Sequence, residues 1–168
     1  MIFNMQKRGI SELISTVLLI GVTLAAAAMI YAFVMPLIQS NIEQSQKCVA
    51  GLLEITEYTC YNASSNELYI EIARGEMDVN VTGIQILVSG GQSAEGVLIK
   101  ENAATDKVRD FNASLPLTIP NPGESNTYAI NMTALGFAPE SATAAALVQL
   151  KTSEKLCAVS SQMPIGNC

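Results

Sequence analysis

The side chains of this chain that could do chemistry are its carboxylates, its four cysteines and a set of asparagines, and none forms the kind of cluster that catalysis needs. His is absent, and so is Trp. Without His the commonest general base at neutral pH and the commonest metal ligand are both missing. No Ser–His or Cys–His couple can then activate a nucleophile. The close carboxylates, Glu54 with Glu57 and Glu76 with Asp78, read as solvated faces and not as an acid–base pair. Asp78-Val79-Asn80-Val81-Thr82-Gly83 imitates the opening of a calcium loop, but Ser89 stands where the closing Glu belongs. The expectation is therefore no enzyme, no cofactor and no metal.

Cys48, Cys60, Cys157 and Cys168 point to structural cystines in an oxidising, non-cytoplasmic space, because no Cys-x-x-Cys pair of a zinc or redox site is present. Four sequons of the N-x-S/T form, at Asn62, Asn80, Asn112 and Asn131, are candidate glycan acceptors, with Asn62 in a turn favoured. From Cys48 onward 13 carboxylates face 6 Lys and Arg, a net charge of −7. Such a surface repels phosphate backbones, which argues against nucleic acid as a partner.

All of these residues lie beyond one long apolar segment. Ile10 to Ile38 holds one charged side chain, Glu12, among Leu, Ile, Val, Ala and Met. As a helix, Ile10–Met35 would run about 39 Å, more than the hydrocarbon core of a bilayer. Lys7 and Arg8 directly precede it and no further basic residue occurs until Lys47, so the positive-inside rule places the N-terminus in the cytoplasm and the rest outside. Ser11 and Glu12 fit a helix start, Ala25, Ala26, Ala27 and Ala28 form a smooth small-residue stretch, and Pro36 marks a kink or the approach to the helix end. Gln39–Lys47 is a polar extension.

From Leu52 the pattern changes to alternation, as in Leu68, Ile70 and Ile72 or Ile84, Ile86 and Val88. Leu52–Tyr58, Gly96–Lys100, Leu115–Ile119, Ser125–Met132 and Thr143–Lys151 are further expected strands, with turns at Asn62–Asn66, Gly90–Gly91 and Asn121-Pro122-Gly123. The expected fold class is α+β: the hydrophobic helix, then an antiparallel, Ig-like β-sandwich. The expected division is 1–9 as a head, 10–47 as helix and extension, and 48–168 as the outer domain.

An uninterrupted strand Leu52–Tyr58 would hold its flanking cysteines more than about 20 Å apart, too far for a Cys48–Cys60 bridge. Two pairings remain: Cys48–Cys157 with Cys60–Cys168, or Cys48–Cys168 with Cys60–Cys157. The second is favoured because it ties residue 168 to the point where the chain enters the domain. The alternative is a bend near Gly51 that brings Cys48 to Cys60.

The junction Lys7-Arg8-Gly9-Ile10-Ser11-Glu12-Leu13-Ile14-Ser15-Thr16, followed by an apolar helix, resembles the class III signal peptides of archaeal type IV pilins and archaellins. The resemblance covers residues 7 to about 36. It implies cleavage after Gly9 by a prepilin peptidase in the membrane, Ile10 as the mature N-terminus, and packing of the helices, Ala25–Ala28 included, into the core of a homopolymeric surface filament built by a pilus assembly machinery. Bacterial pilins carry a glutamate slightly further along the helix that meets a neighbour's amino terminus, and Glu12 is its nearest counterpart; equally, it is a carboxylate suited to a helix start. Lacking a Gly-rich opening, the helix fits an adhesive pilus better than an archaellum. Three other readings compete: an ordinary secretory signal cut at Ala26-Ala27-Ala28, a buried helix of a soluble protein, and an uncleaved anchor holding a lone binding module on the cell surface.

Overall fold

Leu, Ile, Ala, Met and Gln dominate the first fifty residues, and their helix propensity sustains one long helix. The structure, a computed structural model, describes the backbone of residues 5–103, 105–151 and 153–168, and side chains from Leu13 onward. Helix α1 spans Met5–Ala50. It therefore begins before Ser11 and Glu12, which are not at its start: Met5, Gln6, Lys7 and Arg8 are good helix formers, and a single Gly9 does not stop propagation. Pro36 lies inside the helix and does not end it. The chain divides into two compact units, Met1–Ile42 and Glu43–Cys168, so the last turns of α1 belong to the second.

In that second unit, eleven strands and a short helix, α2 (Met132–Leu135), are described. The strands are β1 (Leu53–Ile55), β2 (Cys60–Asn62), β3 (Glu67–Arg74), β4 (Val81–Gly90), β5 (Ser93–Ile99), β6 (Val108–Asp110), β7 (Ser125–Asn131), β8 (Ser141–Gln149), β9 (Glu154–Leu156), β10 (Ser161–Pro164) and β11 (Gly166–Asn167). One sheet runs β11-β2-β3-β7-β6, with β1 also on β3; the other runs β10-β8-β4-β5, with β9 also on β8. Every pairing is antiparallel except β11 with β2. The class is α+β, with a long apolar N-terminal helix and a mostly antiparallel β region.

Alternation decides which side of each strand is buried. Leu68, Ile70 and Ile72 of β3, Tyr128 and Ile130 of β7, and Ile84, Ile86 and Val88 of β4 have no exposed surface and share one core with Ala142, Ala144 and Val148 of β8. Burial of each large side chain contributes roughly 1.5–3 kcal/mol. Leu115–Ile119 is not a strand: Pro116 removes a backbone donor from the segment and Pro120 follows it directly. Leu117 is nonetheless fully buried.

Leu52–Tyr58 is not one strand either. Between the pairs Ile55–Ile72 and Cys60–Tyr69, residues 56–59 stand opposite only residues 70 and 71. The surplus folds into a turn in which Thr59 N donates to Thr56 O and Thr56 N to Glu71 O. The reach argument against Cys48–Cys60 thus rested on a strand that does not form, yet that bridge is absent. The bonds are Cys48–Cys157 and Cys60–Cys168, with Cα separations of 5.4 and 5.1 Å. The favoured Cys48–Cys168 and Cys60–Cys157 pairing is wrong because the chain leaves β10 for the other sheet, where β11 pairs with β2 as Gly166 with Cys60. Cys168 arrives beside Cys60, and Cys157, whose N donates to Ala146 O, meets the end of α1. There Lys47 pairs with Glu43 at 3.3 Å and its Nζ donates to Gln149 O at 2.8 Å.

The hairpin joining β4 to β5 has Gly91 at φ +60°, as a type II′ turn requires at its first central position. Its neighbour Gly90 is needed for a different reason: a Cβ there would stand 1.9 Å from Ala138 O. Gly90→Ala should therefore destabilise the domain by about 2 kcal/mol or more, read as a lowered midpoint in chemical unfolding, whereas Gly91→Asn should cost less.

Candidate functional site

Two groups of residues carry functional potential, the apolar run of α1 and the sequon-bearing loops of the β region. Leu13 to Ile42 contains no charged residue, and α1 is long and apolar enough to cross a membrane. Its large side chains are exposed, Leu13 to 66%, Leu24 to 66% and Phe33 to 71%. Three of the hydroxyls in the run are tied back to the helix: Thr16 Oγ1 donates to Leu13 O, Thr23 Oγ1 to Ile20 O, each at 2.9 Å, and Ser40 Oγ to Leu37 O at 3.3 Å. This removes the desolvation cost that a free hydroxyl would meet in lipid or in a helix bundle.

Along one side of α1 a shallow apolar groove is lined by Leu13, Val17, Gly21 and Ala25 at four-residue intervals, flanked by Ile14, Leu18 and Val22. Nothing lies within 4 Å of the position a Cβ of Gly21 would take. Gly21-x-x-x-Ala25 is a pair of small residues on one helix face, the arrangement that lets two helix backbones approach closely. Gly21 escaped the sequence reading, which fixed on the Ala25–Ala28 stretch; its signal was the four-residue spacing to Ala25. Ala28, seven residues from Gly21, shares that side, whereas Ala26 and Ala27 fall round the rest of the helix. Lys7, Arg8, Gly9, Ile10 and Glu12 lie in the helical backbone, and their side chains are outside the described residues.

The four sequon asparagines differ in what holds them. Asn112 is exposed in the loop after β6, and its Oδ1 accepts the Ser114 hydroxyl at 2.8 Å. Asn80 is exposed just before β4. Asn62, half-buried at the end of β2, accepts Ser64 N at 2.9 Å. Asn131 caps α2: its Oδ1 accepts Thr133 N at 3.0 Å and Ala134 N at 3.4 Å, while its Nδ2, the atom a glycan would occupy, donates to Asp106 O at 3.4 Å. A transferase acting on the folded domain would therefore modify Asn112 and Asn80 most fully and Asn131 least. Glycopeptide mass spectrometry of protein from native cells should give that order, and full occupancy of Asn131 would contradict it.

Glu54, Glu57, Glu76 and Asp78 are exposed. The residues that imitate a calcium loop run into strand β4 from Val81 onward. Among the described residues no three His, Cys, Asp or Glu side chains come together where they could hold a metal.

Two carboxylates are held below their usual range, Glu154 by the Lys100 ammonium and the less exposed Glu67 by a guanidinium. Arg109 Nη2 donates to Glu67 Oε1 at 2.7 Å and holds the carboxyl below its usual range; partial burial opposes this, and the Tyr69 hydroxyl adds a bond at 2.8 Å. Its folded pKa is depressed, so the stability it contributes is present above the unfolded value near 4.5 and is lost as pH falls through the folded value. Glu67→Gln should flatten the acid side of the unfolding profile, measured as midpoint against pH, and leave the neutral side parallel to that of the parent. Burial raises the Tyr128 hydroxyl well above its ordinary pKa and keeps it a donor, to Thr118 O at 2.7 Å.

No protein-family model, curated protein or solved structure matches this chain.

Proposed function

We propose that this chain is a structural subunit of an archaeal type IV pilus-like surface filament, adhesive in role, which is cut after Gly9 by a prepilin peptidase and assembled through α1. The single observation that carries the reading is the uncharged run Leu13–Ile42: its side chains are exposed, its threonine hydroxyls are returned to its own backbone, and it presents the small residues Gly21 and Ala25 on one side. In the membrane that surface faces lipid; in a filament it faces the helices of other copies, and close packing replaces lipid contact. Two cystines and a surface rich in sequons suit a domain that works outside the cell. The N-terminus lies inside and the β domain outside, in keeping with Lys7 and Arg8.

For the β domain we keep the Ig-like sandwich reading. Two sheets contributing to one core support it, as does the Tyr128 hydroxyl bonded back to the backbone ten residues upstream, in the manner of a tyrosine corner.

The charge asymmetry of Lys7 and Arg8 also fits a second reading, an uncleaved anchor for a surface binding module. Electron microscopy of sheared surface filaments, with peptide identification of their subunit, tests between them. Filaments containing this chain support the first reading, and a chain confined to membranes, with none in filaments, supports the anchor.

A further inference from the structure

The two sheets of the β region present outer faces of opposite character. Strands β3, β1 and β6 turn Glu67, Glu71, Glu54 and Arg109 outward on one sheet. On the other, the positions of β4, β5, β8 and β10 that alternate with the buried Ile84, Ile86, Val97 and Ala144 include Gln85, Leu87, Leu98, Thr143, Ala145 and Gln162, and none of them is charged. Leu87 and Leu98 are each 42% exposed on this face. At its margin Lys100 and Glu154 neutralise each other at 3.0 Å. The sequon asparagines also lie off it: three are at or just beyond the ends of β2, β6 and β7 in the charged sheet, and Asn80 is in the loop before β4.

We infer that the outer face of the β10-β8-β4-β5 sheet, centred on Leu87 and Leu98, is a contact surface for a second copy of this chain. Electrostatics selects the occupant. With Lys7, Arg8 and Glu12 outside it, Glu43–Cys168 holds seven of the nine cations and fourteen of the fifteen carboxylates, a net −7. Two such units repel each other, and a cationic partner would be drawn to the charged sheet instead. The uncharged face is where two copies can meet without opposing carboxylates. Its polar groups are also self-complementary. In a two-fold contact each residue type must be able to meet its own kind, and amides and hydroxyls such as those of Gln85, Gln162 and Thr143 both donate and accept, which carboxylates and ammonium groups cannot do.

Gly96 serves the same surface. A Cβ there would stand 2.5 Å from Gln85 Nε2, so the glycine makes room for the Gln85 side chain to lie flat across β5. Four strands at the usual spacing and strand length give a face of about 500 Å², below the roughly 800 Å² per partner of a stable complex. The contact is therefore weak between free molecules and effective where copies are concentrated by a shared membrane or assembly.

The inference stands apart from polymerisation through α1, and its test uses the uncut chain, which the filament reading does not polymerise. The full-length precursor, purified and reconstituted at high density into lipid vesicles so that its copies share one membrane, is prepared with the photo-crosslinking residue benzoylphenylalanine at position 87, at 98, or at Phe111, which is exposed on the charged-sheet side. Illumination should give covalent dimers from 87 and 98 at a yield about tenfold above that from 111. Leu98→Glu should cut the yield from 87 about tenfold, since each copy would then bring a carboxylate into the contact. Its melting point should be unchanged, because Leu98 is half-exposed and off the core. Equal yields from all three positions, or dimers indifferent to Leu98→Glu, would each overturn the proposal.

Discussion

Removing the Cys48–Cys157 bridge, by Cys48→Ser with Cys157→Ala, is expected to lower the unfolding free energy of the β domain by about 3 kcal/mol. The two bridges span sequence separations of 109 and 108 and interleave, so each closes a loop that the other has already shortened. With Cys60–Cys168 intact, the loop freed by breaking the first bond consists of 48–60 and 157–168, about 25 residues, and the chain-entropy relation for such a loop gives about 3 kcal/mol. Cys157 is only 8% exposed, which is why alanine and not serine is chosen there: a buried hydroxyl would add its own desolvation cost. The melting temperature of the full chain in detergent should fall by about 10 °C. Loss of both bridges frees loops of about 100 residues and should leave the domain unfolded at 37 °C, since the combined loss approaches the 5–15 kcal/mol that a domain commands. A midpoint unmoved by the first pair of substitutions would show that the bond does not constrain the unfolded chain as argued.

Gly9→Trp is expected to stop maturation and leave the full-length precursor in the membrane, while Gly9→Ala should be processed. The proposed peptidase cuts after a small residue preceded by basic ones, and an indole at that position fills the space a methyl group leaves open. Retention follows from the charges that stay attached. Pulling Lys7 and Arg8 through the bilayer centre costs about 2.5–3.5 kcal/mol each on insertion scales, so an uncut helix is held by roughly 5–7 kcal/mol that a cut one does not feel. Immunoblots of membrane and sheared-filament fractions read the result. Filaments carrying the Trp variant in normal amount would count against both the cleavage site and the extraction step.

The long helix was legible because one property, uninterrupted apolarity from Leu13 to Ile38, suffices to predict it. Strands β3 and β4 were legible for a similar reason: eight or more residues alternate closely enough that Ile70 and Ile86 could only face a core; β7 and β8, which bury three successive residues each, were legible by their length. The strands that were missed, β2, β6, β9, β10 and β11, have two to four residues each and no apolar alternation of their own. They are strands because a longer neighbour supplies the ladder, which is tertiary information. The bridge pairing was lost for the same reason, since nothing local to Gly166–Cys168 says that it pairs in parallel with Cys60–Tyr61. In the helix, Gly21 was passed over because a lone glycine in an apolar run carries little weight until Leu13, Val17 and Ala25 are seen on the same side. The proposed processing residues rest on the resemblance of their order alone, Lys-Arg-Gly before an apolar run.

The central claim is that the chain leaves the membrane as a cut subunit held to its copies through α1. It is tested most directly by the amino-terminal sequence of this protein taken from surface filaments sheared off native cells. The account predicts a single N-terminus at Ile10 in the filament fraction, with the Lys7-Arg8 head only in membrane precursor. A chain that begins ahead of Lys7 in every fraction, and is absent from filaments, would contradict it.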